Sequence, residues 1–326
     1  GGSQSIRHGW QSLRMTGATA RRMLMEAAAK QWEVPVEELT TDKGVIAHEA
    51  TKQSIGYGEV ASAAAGIEVP EEVELKDPKD FKIIGTSRGN VDAKDLVTGK
   101  PLFGLDIQKE GMLIAGIVHA PAFGMKLKSL DAEAAKAMPG IRDVIIVNSR
   151  PEGMELQWSD GPNAFPELVA VVGNSTWEVM KAKKALNIEW EVDSDLESSD
   201  GHEAGFVDLL SKPSVEPSRK DGAPDAAFND ADKVIERTFS APFLPHNCME
   251  PMNFYANVTA DKAELEGPIQ TPEYLRKSVA SMLGMEESQI SIMMTRMGGG
   301  FGRRLYGTFA VEAAAISKAV GAPVKL

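Results

Sequence analysis

The sequence holds a single cysteine, Cys248, in 326 residues. Without a second thiol the chain closes no internal disulfide, and it cannot by itself hold an iron–sulfur cluster, which takes about four thiolates. Any such cluster must sit on a partner. Histidine is also scarce: His8, His48, His119, His202 and His246 lie far apart, with no i, i+4 pair and no carboxylate at a ligand spacing. That pattern argues against a zinc site of familiar design. No apolar run approaches the roughly 18 residues of a membrane span, and the first residues lack a basic-then-apolar signal pattern. Positive charge is outnumbered, 35 Lys and Arg against 47 Asp and Glu, for a net charge of −12. Acidic residues gather in "EVPEEVELKDPKD" and "EVDSDLESSD", so nucleic acid is a poor partner. No period of 20–50 residues recurs, which excludes a repeat architecture.

What is present divides into helical and strand-like stretches. Residues 13–32 carry apolar and alanine positions at helical spacing among good helix formers, which predicts a helix. A hairpin is expected around 44–54, a small helix near 58–65, and an extended polar connector ending near Asp80. From 83 to 195 short strands alternate with helices: strands in "MLIAGIVHA", "RDVIIVN" and "ELVAVVG", and helices in "DAEAAKAM" and "STWEVMKAKKAL", the second capped by Ser175. The polar stretch 193–232 reads as a surface excursion. The last unit runs through "MNFYANV", "AELEGPIQ", the helix "TPEYLRKSVASMLG", a β-like "QISIMMT" and a helix over 308–320. The fold class expected is α+β, with divisions at 1–82, 83–195, 196–232 and 233–326.

Between that last strand and helix lies "MMTRMGGGFGRRLYG", residues 293–307. Four glycines in five residues exceed what any one turn type demands. They free the backbone for left-handed angles and leave main-chain N–H groups available to an anion. A Walker loop fails here, because Arg303, Arg304 and Leu305 follow the last glycine. The dinucleotide fingerprint fails too, since the sixth position counted from Gly298 is Arg303.

Four stretches together resemble the molybdenum-binding large subunit of the xanthine dehydrogenase and aldehyde oxidase family, and within that family the beta subunits of isoquinoline 1-oxidoreductases. They are "GGSQSIRHGWQSLRMTGATARRML" at the start, "GNVDAKDLVTGKPLFGLDI" at 89–107, "LPHNCMEPMNFYANV" at 244–258, and "EGPIQTP" leading to "MGGGFGRR". The resemblance implies an aldehyde oxidase-type α/β hammerhead domain over 83–195, flanked by partial molybdopterin-binding segments. It implies molybdopterin as cofactor, in its cytosine dinucleotide form, carrying molybdenum. It also implies a small iron–sulfur alpha subunit as partner, and hydroxylation of an N-heteroaromatic or aldehyde substrate with water as oxygen source.

By the same resemblance Gly2, Ser3, Gln4 and Ser5 would contact the cofactor's phosphate and pterin. Gly298, Gly299, Gly300, Phe301 and Gly302 would pass beside the metal, with Gln270 nearby and Arg303 and Arg304 on phosphate groups. Gln270 equally suits a strand end, and Arg303 and Arg304 a solvated helix start. His246 and Glu250 match the family's segment, whereas Leu244 stands where xanthine-type members carry a glutamine. Cys248 reads as a small buried apolar residue. No residue is expected to ligate the metal directly, and the family's general-base glutamate would lie beyond Leu326. The chain is thus expected to be an internal piece of a longer subunit, inactive alone. The alternative is a scaffold or interaction module without cofactor.

Overall fold

The computed structural model describes residues 2–158, 165, 167–192, 196–212 and 216–326. The chain divides into two compact units, Gly1–Gly99 and Lys100–Leu326.

In the first unit α1 (Ser5–Trp32) begins eight residues before the expected start at 13 and ends where Glu33 turns left-handed at φ 56°. Pro35 follows, unable to continue the helix. Strands β1 (Leu39–Asp42), β2 (Val45–His48) and β3 (Gln53–Gly56) form an antiparallel meander. Its first turn places Lys43 at φ 47° and Gly44 at φ 81°, the doubly positive geometry that matches strand twist. α2 (Tyr57–Ala64) follows, and Met25, Ala28, Leu39, Ile46 and Val60 make a shared core. His48 is buried and structural, its ring nitrogens 2.9 Å from Glu38 Oε2 and Thr51 Oγ1. A short α3 (Ala93–Val97) closes the unit.

The second unit contains, in chain order, β4 (Leu113–Val118), β5 (Met125–Asp131), α4 (Glu133–Lys136), β6 (Ile141–Asn148), β7 (Glu167–Gly173), α5 (Thr176–Lys183), β8 (Asn187–Val192), α6 (Ser199–Ser211) and α7 (Pro224–Asn229). β9 (Tyr255–Val258), β10 (Ala263–Gly267), α8 (Pro272–Leu283), β11 (Ile290–Met294), α9 (Thr308–Val320) and β12 (Val324–Lys325) complete it. One seven-stranded sheet runs β11-β10-β9-β12-β4-β7-β6. It draws strands from both sides of the 196–232 stretch. The α+β class holds.

β7 explains why the sheet sits in the middle. Its run Leu168–Val172 is wholly buried, and the pleat sends alternate residues to opposite faces. Val169 and Val171 pack with Val179 and Ala182 of α5. Ala170 and Val172 join the larger core with Leu275 and Val279 of α8 and Phe309 and Ala313 of α9. Ser175 caps α5, accepting from the Glu178 N–H. β5 and β8 form a separate antiparallel ribbon that the sequence reading missed. Their alternation in "MKLKSL" and "IEWEV" was the available signal. The expected surface excursion contains α6 and α7, neither with a buried residue; residues 193–195 and 213–215 of it lie outside the described residues.

Candidate functional site

β10 and β11 are parallel neighbours connected through α8. Parallel pairing puts both carboxyl ends on one edge of the sheet, the edge where open α/β sheets bind ligands. Gln270 leaves the end of β10, and the glycine stretch leaves the end of β11. Sequence positions some thirty residues apart therefore meet: Gln270 N–H donates to Arg304 O at 2.9 Å, and Gly302 N–H donates to Gln270 Oε1 at 3.3 Å. Thr271 Oγ1 donates to Leu305 O at 2.7 Å. The expected strand–loop–helix order is present, running from β11 through the loop to α9.

Beneath the loop, Glu250 is the joint. It is buried, and its carboxylate accepts from Gly298 N–H (2.8 Å), Leu105 N–H (3.2 Å), Asn253 Nδ2 (3.0 Å) and Arg304 Nη2 (3.4 Å). Its own N–H donates to Gly298 O at 3.0 Å. Arg304 has no exposed surface; its Nε donates to Gly299 O at 2.8 Å and its Nη2 to Glu250 O at 2.9 Å. Burial pulls the guanidinium below its ordinary pKa, and the Glu250 carboxylate opposes that shift. The expectation that Arg304 sits on a phosphate or a solvated face is therefore corrected. A 3₁₀ turn over Arg303–Leu305 turns Arg304 inward, while Arg303 stays part-exposed with its guanidinium 5.7 Å from the Phe309 ring.

Three of the four stretches named above thus converge on one carboxylate. Leu105 comes from "PLFGLDI", Glu250 from "HNCMEPMN", and Gly298 and Arg304 from the glycine loop. Gly104 packs so closely that a Cβ there would lie 2.2 Å from Asn253 Oδ1 and 2.6 Å from Pro268. Asn253 and Leu105 were not singled out from sequence; nothing local to Leu105 reveals a partner 145 residues away.

The glycines have separable reasons. A Cβ on Gly298 would meet Glu250 Cβ at 2.4 Å, and one on Gly300 would meet Gln270 Oε1 at 2.8 Å. Bareness at these two positions admits the protein's own side chains. Gly299 at φ 107°, Phe301 at φ 51° and Gly302 at φ 90° are left-handed, so two glycines and one strained phenylalanine shape the turn. Among the described residues no group accepts from the N–H of Gly299, Gly300 or Phe301. Phe301 is 72% exposed. Cys248 lies against the loop, its Sγ 3.6 Å from Gly300 O, while His246 and Leu244 are exposed. A run of three unpaired N–H groups is a donor set that suits a ligand presenting oxygen or nitrogen acceptors. Gly2 and Ser3 are also left-handed, at φ 63° and 55°, and with Gln4 lead into α1, whose first turn, from Ser5, carries no acidic residue. They stand in the other compact unit. No group of three or more His, Cys, Asp or Glu among the described residues could hold a metal ion. Among the same residues no helix is long and apolar enough to cross a membrane.

Residues 211–326 match the molybdopterin cofactor-binding domain. Along nearly the whole sequence the chain is similar to large subunits of molybdopterin oxidoreductases. It is 29% identical to the beta subunit of isoquinoline 1-oxidoreductase from Brevundimonas diminuta over 96% of this chain and 43% of that protein. It is 27% identical to the large molybdopterin subunit of nicotinate dehydrogenase from Eubacterium barkeri over 76% of this chain and 62% of that one. The chain therefore spans less than two thirds of the length of these relatives. The aldehyde oxidoreductase of Desulfovibrio gigas shares the fold over 83% of this chain and 33% of its own, with a TM-score of 0.56 at 22% identity. Quinoline 2-oxidoreductase of Pseudomonas putida 86 shares it over 74% and 34%, with a TM-score of 0.54 at 23% identity.

Proposed function

We propose that this chain forms part of a molybdenum hydroxylase that oxidises an N-heteroaromatic, isoquinoline-like compound or an aldehyde, with water as oxygen source. The observation that carries the proposal is the convergence at Glu250. Segments from three distant parts of the chain are tied to one buried carboxylate, and above it the loop presents the free N–H groups of Gly299, Gly300 and Phe301. Within that reading, Gln270 and Gly298 to Arg303 would hold the molybdopterin, in its cytosine dinucleotide form, while Gly2 to Ser5 would hold its phosphate end. When bound, the cofactor supplies the two-electron oxidation. The chain's own residues position it: the Glu250–Arg304 pair fixes the loop from below, and Gln270 keeps its Nε2 free to donate because its Oε1 is committed to Gly302 N–H. Clusters on a small iron–sulfur subunit would take up the electrons, in keeping with a sequence that has one cysteine.

The test is metal and pterin analysis of the chain purified from a molybdenum-replete bacterial host. Molybdenum near one per chain, with the fluorescence of an oxidised pterin, is the expected result. A protein that melts cooperatively yet carries neither would overturn the cofactor assignment and favour the scaffold alternative.

A further inference from the structure

The compact unit Gly1–Gly99 contains a second feature, unconnected with the glycine loop. One face of α1, the tip of the β1–β2 hairpin and the strap 74–88 enclose a cavity of about 670 Å³, within the size range of small-molecule sites. Six basic side chains line it, Arg14, Arg21, Lys43, Lys76, Lys82 and Arg88, against two acidic ones, Asp42 and Glu74. That is a local reversal of sign in a chain of net charge −12. Of the six, Lys82 alone has a carboxylate partner among the described residues, Asp42 at 3.3 Å.

Four of the six cations fall into two groups. Arg14 and Arg88 build the wall: Arg14 Nη2 donates to Lys76 O at 2.9 Å with its guanidinium 4.9 Å from the Trp10 ring and 5.3 Å from the Phe81 ring. Arg88 Nη2 donates to Lys82 O at 2.9 Å. Arg21 and Lys43 are not used up in this way. Arg21 spends only its Nε, on Thr41 Oγ1 at 2.7 Å, so the two terminal nitrogens of its fork are unengaged. Lys43 stands at the left-handed hairpin tip beside Asp42 and so near Lys82. The cavity is also lined by apolar Phe81, Ile83 and Ile84, the isoleucines 67% and 43% exposed. Gly17 leaves the helix face open, since a Cβ there would meet nothing within 4 Å.

A cluster of unpaired cations around an arginine fork suits a doubly charged phosphate better than a single carboxylate, and the apolar part of the lining suits a flat apolar group. We propose that this cavity binds an organic phosphate of the nucleotide class, its phosphate on Arg21 and Lys43 and its planar part against Phe81, Ile83 and Ile84. The proposal does not depend on the molybdenum reading and uses none of Gly2 to Ser5.

Calorimetric titration of the whole chain with AMP, adenosine, inorganic phosphate and a poly-glutamate peptide tests it. AMP is expected to bind saturably, more tightly than phosphate, with adenosine silent. Arg21→Gln and Lys43→Gln should each weaken AMP by about tenfold, the equivalent of one charge-assisted contact. Lys43 is exposed at a turn, so its variant should keep the parent melting temperature and separates binding from folding. Absence of AMP binding at millimolar concentration, equal binding by the Lys43→Gln chain, or tighter binding of poly-glutamate would each overturn the proposal.

Discussion

At the scale of single residues, Glu250 and Arg304 are not interchangeable members of a pair. Removing the charge at Glu250 leaves a fully buried guanidinium without its carboxylate, held by the carbonyl oxygens Gly299 O and Glu250 O. Breaking a buried pair in that direction costs about 3–5 kcal/mol. Removing Arg304 leaves the carboxylate with three other donors, Gly298 N–H, Leu105 N–H and Asn253 Nδ2, so no buried charge is left without a partner, and the loss is that of the guanidinium's own hydrogen bonds to Gly299 O, Glu250 O and the carboxylate. Glu250→Gln is thus expected to unfold at lower urea than Arg304→Met. Equal midpoints, or the reverse order, would remove Glu250 from its place as the joint. Sequence reading marked both residues but not their relation. Two adjacent arginines look alike on the page, and only the turn over 303–305 decides which is buried. Gly300 carries the same lesson, because its φ lies outside the left-handed region and its constraint is the Gln270 side chain.

At the scale of elements, the sequence was legible where apolar pattern and end signals agreed. "TFAVEAAAISKAV" is helical over its whole length, 308–320, and ends at Gly321 in the left-handed conformation at φ 66°. "ELVAVVG" is a strand buried on both faces, as an unbroken apolar run implies. The two-residue strand β12 gave no local signal; it exists because β4 and β9 leave a gap it fills. The contact between β4 and α5 is also invisible in sequence. Gly116 lets α5 lie against the sheet, for a Cβ there would come 2.7 Å from Val179 Cγ1 and 3.0 Å from Lys183 Cδ. Gly116→Val should therefore lose about 1–3 kcal/mol by overpacking. Pairing it with Val179→Ala should recover part of that loss, since residues in contact couple. Thermal melts of the single and double variants check this, and strictly additive losses would show that the two side chains do not share the space.

At the scale of the whole molecule, the buried sheet of the second unit contrasts with its long surface segment. α6 and α7 bury nothing, and residues 231–247 form no helix or strand and are exposed throughout. Limited proteolysis should cut between 196 and 247 first, while strands β4 and β6 survive; early cleavage within 112–147 would contradict this division of stability. The measurement closest to the central claim compares Gly300→Val with the parent chain, molybdenum and pterin content beside thermal melting. The added side chain would collide with Gln270 and disturb the loop edge where the free N–H groups stand. The account predicts a variant that still melts cooperatively within a few degrees of the parent but carries no molybdenum. A variant that melts lower yet keeps its full molybdenum and pterin would mean that the glycines serve only Glu250, Gln270 and the turn, and would contradict the assignment of this loop to the cofactor.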